Sequence, residues 1–145
     1  MTRAVTDKLE LLRDLPVFTG CSRRELRLLA RLTDLVSVRA GTELVHQGMP
    51  GHEFFTISRG HATVVRDGRE VSVLGAGESF GEVALLASAP RNATVVCNTD
   101  MELVVIEERA FLGLLAEVPA LSRHILGRLA ARLHESEAGP LPRAY

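Results

Sequence analysis

Apolar residues fall at helical spacing near both ends of the chain and in short runs between them. Leu9, Leu11, Leu12 and Leu15 predict a short helix that stops near Pro16, whose ring cannot continue it, and Phe18 follows as a plug for the core. Ser22 and Glu25 have capping-box spacing, so a second helix opens there with Leu26, Leu28, Leu29 and Leu32 on its apolar face. From about Asp34 to Glu107 the period changes. Runs rich in Val, Ile, Leu and Thr are punctuated by Gly41, Gly48, Gly51, Gly60, Gly68, Gly75, Gly77 and Gly81, which predicts an all-β core of short strands and tight turns. The clearest hairpin joins Val64 and Val65 to Val71 and Val73 through Arg66-Asp67-Gly68-Arg69, because Asp-Gly accepts the positive φ angles of a type I′ turn. After Glu108 the pattern is helical again: Phe111, Leu112, Leu114 and Leu115 form a short helix that Pro119 punctuates. Leu121, Ile125, Leu129 and Leu133 then make a stripe at intervals of four, widened by Leu126 and Ala130. The tail from Glu135 to Tyr145 contains Gly139-Pro140-Leu141-Pro142 and is expected to be poorly ordered.

Composition narrows the classes of function. A chain of 145 residues, 46% hydrophobic and 24% charged, fits one globular domain, which at that size buries roughly 70% of its unfolded-chain surface. The formal net charge of −1 argues against nucleic-acid binding, which normally needs a strong basic excess. Arg23, Arg24, Arg27 and Arg31 read as a solvated helix face. Cys21 and Cys97 have no companion at disulfide or zinc spacing. No N-terminal stretch has signal-peptide character, and none reaches the roughly 20 apolar residues needed to cross a bilayer, so a cytoplasmic, membrane-free protein is expected. In that compartment the triplet Asn92-Ala93-Thr94 would not be glycosylated. His46, His52, His61, His124 and His134 form no metal-ligand pair, and the clustered histidines of a cupin-like enzyme are missing. No nucleophile sits beside an identifiable histidine base, so catalysis is not expected.

The segment Phe80 to Thr94, F-G-E-V-A-L-L-A-S-A-P-R-N-A-T, carries the chemistry. It sets one acid and one arginine nine residues apart around a short apolar turn. A buried phosphodiester needs a fixed cation and backbone amides, and a ribose needs an acceptor for its hydroxyl; one loop here supplies all of them. A surface ion pair between Glu82 and Arg91 is the plainer reading of the same two residues. Gly75-Ala76-Gly77 with Gly81 loosely matches a dinucleotide fingerprint, but glycine-punctuated short strands flank it where a strand, a helix and a parallel partner would be required.

With helices, barrel and C-terminal helix in this order, the chain resembles the cyclic-nucleotide-binding domain family. That family includes the bacterial cAMP receptor protein, protein kinase A regulatory subunits and ligand domains of cyclic-nucleotide-gated channels. The resemblance covers roughly Phe18 to Leu133: the cassette, Gly41, Gly48 and Gly60, the strand Phe54-Phe55-Thr56-Ile57, and Leu74-Gly75-Ala76-Gly77. It implies a mainly β fold, a double-stranded, jelly-roll-like β-helix with helices before and after it. The expected segments are N-terminal helices over 1–33, a β-barrel over 34–107 holding the cassette 80–94, C-terminal helices over 108–134 and a flexible tail over 135–145, all in a single domain.

The resemblance also implies site residues. Arg91 matches the arginine that holds the exocyclic phosphate oxygens, and Glu82 the glutamate that accepts the ribose 2′-hydroxyl. Gly81, Ala84 and Asn92 match positions whose backbone amides face ribose or phosphate, Gly81 by permitting close approach before a helix N-terminus. Val64 and Leu74 match apolar positions near the base. On the last helix Leu126 is placed in the base vicinity, with Arg123, Leu129 and Arg132 also open as capping residues. Leu85 matches the leucine that relays binding to the C-terminal helices. No cofactor or metal is implied; the ligand is cAMP or cGMP, with cAMP favoured. The expected role is a sensor acting on an effector protein in trans, as a monomer or weak homodimer that binds neither nucleic acid nor membrane. A barrel kept only for protein interaction is the alternative, and a cupin-like enzyme a more distant one.

Overall fold

The computed structural model describes residues 3–138 and Tyr145, with side chains for residues 7–134 and Tyr145. The chain begins with α1 (Arg3–Asp14), a 3-10 turn at Pro16–Phe18 and α2 (Arg23–Leu32). Pro16 sits in the first turn of the short 3-10 element, where a missing N–H costs nothing. The capping box at α2 is formed in full: Ser22 Oγ accepts from the Glu25 amide at 3.1 Å and Glu25 Oε1 accepts from the Ser22 amide at 2.8 Å. Lys8 Nζ fastens α1 to the other end of α2, donating at 2.6 Å to the carbonyls of both Ala30 and Thr33. A cation there satisfies carbonyls that the helix leaves unpaired.

Eight strands follow: β1 (Asp34–Val38), β2 (Glu43–Val45), β3 (Glu53–Arg59), β4 (Ala62–Arg66), β5 (Arg69–Leu74), β6 (Ser79–Phe80), β7 (Thr94–Cys97) and β8 (Met101–Glu107). They form two four-stranded sheets, β1-β8-β3-β6 and β2-β7-β4-β5, with every pairing antiparallel. This is the expected mainly β, jelly-roll-like barrel, and its strands occupy the stretch from Asp34 to Glu107. The hairpin between β4 and β5 turns at Asp67 and Gly68 with φ of 53° and 77°, the two positive angles that the Asp-Gly pair predicts.

Strand β3 divides the core. Successive side chains on a strand face opposite sides, and neighbouring phenylalanines use this: Phe54 stacks on Phe111 at 4.7 Å in the helical layer, while Phe55 stacks on Phe80 at 4.8 Å inside the barrel. The first cluster joins Phe18 and Leu29 to Leu85, Leu121 and Ile125. The second lies within the barrel and contains Ile57, Val64, Leu74, Val95 and Leu103.

Between β6 and β7 lies α3 (Glu82–Leu86), and after β8 come α4 (Glu108–Glu117) and α5 (Pro119–Ala138). The apolar stripe of α5 is buried only in its first turns. Leu121 and Ile125 reach the core, whereas Leu126 and Leu133 are each 65% exposed. Two expectations about the C-terminus change. Helix α5 continues through Ala138, beyond Glu135, and Tyr145 is buried inside the barrel; residues 139–144 of the expected loose tail lie outside the described residues.

Candidate nucleotide site

The site is built on the short connection from β6 through α3 to β7. Gly81 turns the chain with φ of 101°, in the left-handed region that a side chain disfavours, and a Cβ there would stand 2.8 Å from the Glu53 carbonyl oxygen. Helix α3 has only five residues, so its cumulative dipole is small and the individual amides matter more. Those of Glu82, Val83 and Ala84 lie in the first turn, where no intrahelical acceptor exists.

Arg91 is held from both main chain and side chain. Its amide donates to the Met49 carbonyl at 2.9 Å, and its carbonyl accepts from the Gly48 amide at 2.8 Å. Its guanidinium donates to the carbonyls of Gly81 at 3.1 Å and Glu53 at 2.8 Å, and its Cζ lies 5.9 Å from the centre of the Phe55 ring. The residue is 5% exposed. Burial lowers its pKa, while Glu53, Glu108 and Glu82 pull it back up; an arginine in that balance stays charged. Gly51 completes the seat, because a Cβ at that position would collide with Arg91 Nε and Cζ.

Glu82 is fully buried on the adjoining turn. Its Oε1 accepts from Arg132 Nη1 at 2.8 Å and lies 3.4 Å from Arg128 Nη2. Its Oε2 has no partner among the described residues. Arg128 Nη2 also donates to the Ser79 carbonyl at 2.6 Å, while its Nη1 is buried without a partner. Burial lowers the Arg128 pKa first of all, Glu82 opposes that, and neighbouring Arg132 reinforces it. A buried carboxylate faced by two arginines carries net positive charge around it. Such a place attracts polar or anionic groups.

The sequence-predicted residues fall into three groups. Gly81, Glu82, Ala84 and Arg91 gather on this one connection, and Leu85 points into the helical core beside Phe111, Leu121 and Ile125. Val64 and Leu74 line the barrel interior. Asn92 follows Arg91, with its carbonyl accepting from Arg66 Nε at 3.0 Å. Leu126 is exposed on α5 and is not part of the barrel cluster, while Arg128 and Arg132 of the same helix meet Glu82 of the cassette. Arg132, open beforehand as a base cap, meets Glu82. Arg128 was missed, although its spacing of four from Arg132 places both on one helix face.

Tyr145 is also unforeseen. Its ring joins the barrel cluster with Phe55, Val64 and Leu74, its carbonyl accepts from the Gly81 amide at 2.9 Å, and the Arg66 guanidinium lies 5.2 Å from the ring centre. Among the described residues, no group of three or more His, Cys, Asp or Glu is placed to hold a metal ion. No described helix is long and apolar enough to cross a membrane.

Comparison with known proteins agrees with this geometry. The cyclic nucleotide-binding domain family matches residues 35–118. The chain is 33% identical over 115 residues to the cAMP-dependent protein kinase regulatory subunit of Schizosaccharomyces pombe, covering 79% of this chain and 28% of that protein. Among solved structures, the catabolite activator protein of Thermus thermophilus superposes with a TM-score of 0.77 at 28% identity, over 85% of this chain and 60% of the other. The sensor domain of the transcriptional regulator DNR from Pseudomonas aeruginosa shares the fold over 99% of this chain and all of its own, with a TM-score of 0.79 and 23% identity. The chain therefore belongs to the cyclic nucleotide-binding domain family. It spans only 24% to 30% of the length of the curated relatives it matches.

Proposed function

We propose that this domain binds a cyclic nucleotide, cAMP in preference to cGMP, and reports its presence by repacking α4 and α5 against the cassette. The observation that carries the reading is the pairing of a caged guanidinium at Arg91 with a buried carboxylate at Glu82, one oxygen of which lacks a partner among the described residues. An unpaired buried acceptor is costly, and a ribose hydroxyl would satisfy it. The planar Arg91 fork suits two exocyclic phosphate oxygens, with amides of Gly81, Ala84 and Asn92 completing the cradle. Val64 and Leu74 supply apolar surface for the base.

The output follows from what touches the cassette. Leu85 packs in the helical core, and Glu82 is joined to α5 through Arg132. A ligand that recruits Glu82 and moves α3 changes both contacts together, so it shifts the balance between two arrangements of α5 by its differential affinity for them. The domain acts in this reading as a regulatory module on a partner protein in trans, as a monomer or weak homodimer in the cytoplasm, without catalysis and without a cofactor.

A thermal-shift titration with cAMP, cGMP and 5′-AMP tests the assignment. A ligand selective for the folded state at 100 times its Kd stabilises by about 2.7 kcal/mol, which for a domain of this size raises Tm by several degrees. Cyclic nucleotides should give this shift and 5′-AMP should not; equal shifts with all three would refute recognition of the cyclic form.

A further inference from the structure

The inside of a ligand-binding barrel is filled here by a residue from outside the barrel. Tyr145 is separated from the end of α5 by six residues in sequence, yet it is 7% exposed and packed among Phe55, Val64 and Leu74. Two of these, Val64 and Leu74, are the positions assigned above to the nucleotide base. Its carbonyl takes the Gly81 amide at 2.9 Å, a donor assigned above to the ligand. The Arg66 guanidinium lies 5.2 Å from the ring centre, the distance of a cation resting on an aromatic face. Tyr145 thus presents an aromatic ring and a hydrogen-bond acceptor together, as an adenine joined to a ribose phosphate would present a ring and phosphate oxygens, and Arg66 is the cation the barrel sets against the ring.

We infer that Tyr145 is a tethered competitor of the nucleotide, occupying the base end of the cavity when ligand is absent and leaving it when ligand binds. The inference rests on the ligand reading of the cassette and adds a regulation to it. In this reading both occupants need the Gly81 amide and the apolar surface of Val64 and Leu74, so they exclude each other. A tethered group competes at a high effective concentration without any partner in solution. It weakens the apparent affinity by the fraction of time the cavity is open: a ring seated nine-tenths of the time costs about tenfold. Displacing it also releases the Tyr145 carbonyl from the Gly81 amide, so ligand binding would be reported at Tyr145 as well as through Leu85.

The chain contains one tyrosine and no tryptophan, so intrinsic fluorescence observes Tyr145 alone. In the nucleotide-free protein the emission should resist acrylamide quenching, and added cAMP should make it quenchable with the same midpoint as binding measured by calorimetry. Tyr145→Ala, and separately a chain shortened after Ala138, should bind cAMP about tenfold more tightly than the full chain. A readily quenched tyrosine without nucleotide, or equal affinity in all three proteins, overturns the competition while leaving the ligand site standing. Failure of cAMP and cGMP to bind any of the three proteins overturns the ligand reading, and the competition with it.

Discussion

Arg132 on α5 donates to the Glu82 carboxylate on α3 across 2.8 Å, although the two residues are fifty positions apart in sequence. The bond ties the last helix to the turn that carries the proposed ribose acceptor. Arg132→Ala should therefore destabilise the domain by about 1.5 to 3 kcal/mol, the worth of a hydrogen bond between charged groups. Arg128 stays near the carboxylate and keeps the loss below that of exposing an unpaired buried charge. Urea unfolding measures the difference. A loss within about 0.5 kcal/mol, typical of a surface position, would show that the pair does not hold α5.

Gly51 should prove more important for Arg91 than for the fold. Its own φ is not in the left-handed region, so an alanine is tolerated by the backbone, but the new Cβ meets Arg91 Nε and Cζ. Gly51→Ala should push the guanidinium out of its seat and weaken cAMP binding about tenfold or more, since a misplaced fork loses part of a bidentate contact. Tm should fall by no more than a few degrees. Isothermal calorimetry and a melting curve on the same sample check both halves.

His124 gives a pH dependence with a definite sign. Burial and nearby Arg128 lower its pKa below the ordinary value of 6.5, with Glu82 opposing. The unfolded chain then binds a proton at this residue more readily than the folded one. Stability from the neutral ring is therefore present above pH 6.5 and is lost as pH falls from there through the lowered folded pKa. Melting curves at pH 7.5 and pH 5.5 should show a drop in Tm that shrinks in His124→Gln, where no proton can be taken up.

The cysteines should be unreactive for the same kind of reason. Burial and the neighbouring Glu25 push the Cys21 thiol up to about 11, and burial also raises Cys97. Thiolate is the reactive form. Iodoacetamide at pH 8 should label the native protein slowly at both sites and the urea-unfolded protein quickly, as mass spectrometry would show.

Much of the fold is legible where local chemistry dictates it. Ser22 with Glu25, Asp67 with Gly68, and Pro119 each impose a local geometry, and the structure has a capped helix, a type I′ turn and a helix start at those places. The cassette is legible too, because Gly81, Glu82, Leu85 and Arg91 lie within one short connection. What was hidden depends on distance. The stripe on α5 continues through Leu133 in sequence, but spacing alone does not reveal that the barrel covers only the first turns, leaving Leu126 and Leu133 in solvent. Arg128 reads as an ordinary charged position and Arg132 as one of several possible base caps until the buried Glu82 is found opposite them. Tyr145 follows a proline- and glycine-containing stretch that locally predicts disorder, and only the tertiary contact with Gly81 and the barrel cluster reveals its burial.

The central claim is that Arg91 grips the phosphate of a cyclic nucleotide, and calorimetry of cAMP binding to the native protein and to Arg91→Ala tests it most directly, with circular dichroism to confirm that both are folded. Loss of two charge-assisted hydrogen bonds, about 3 to 6 kcal/mol together, predicts at least a hundredfold weaker binding. An affinity for cAMP equal in the two folded proteins would contradict the account.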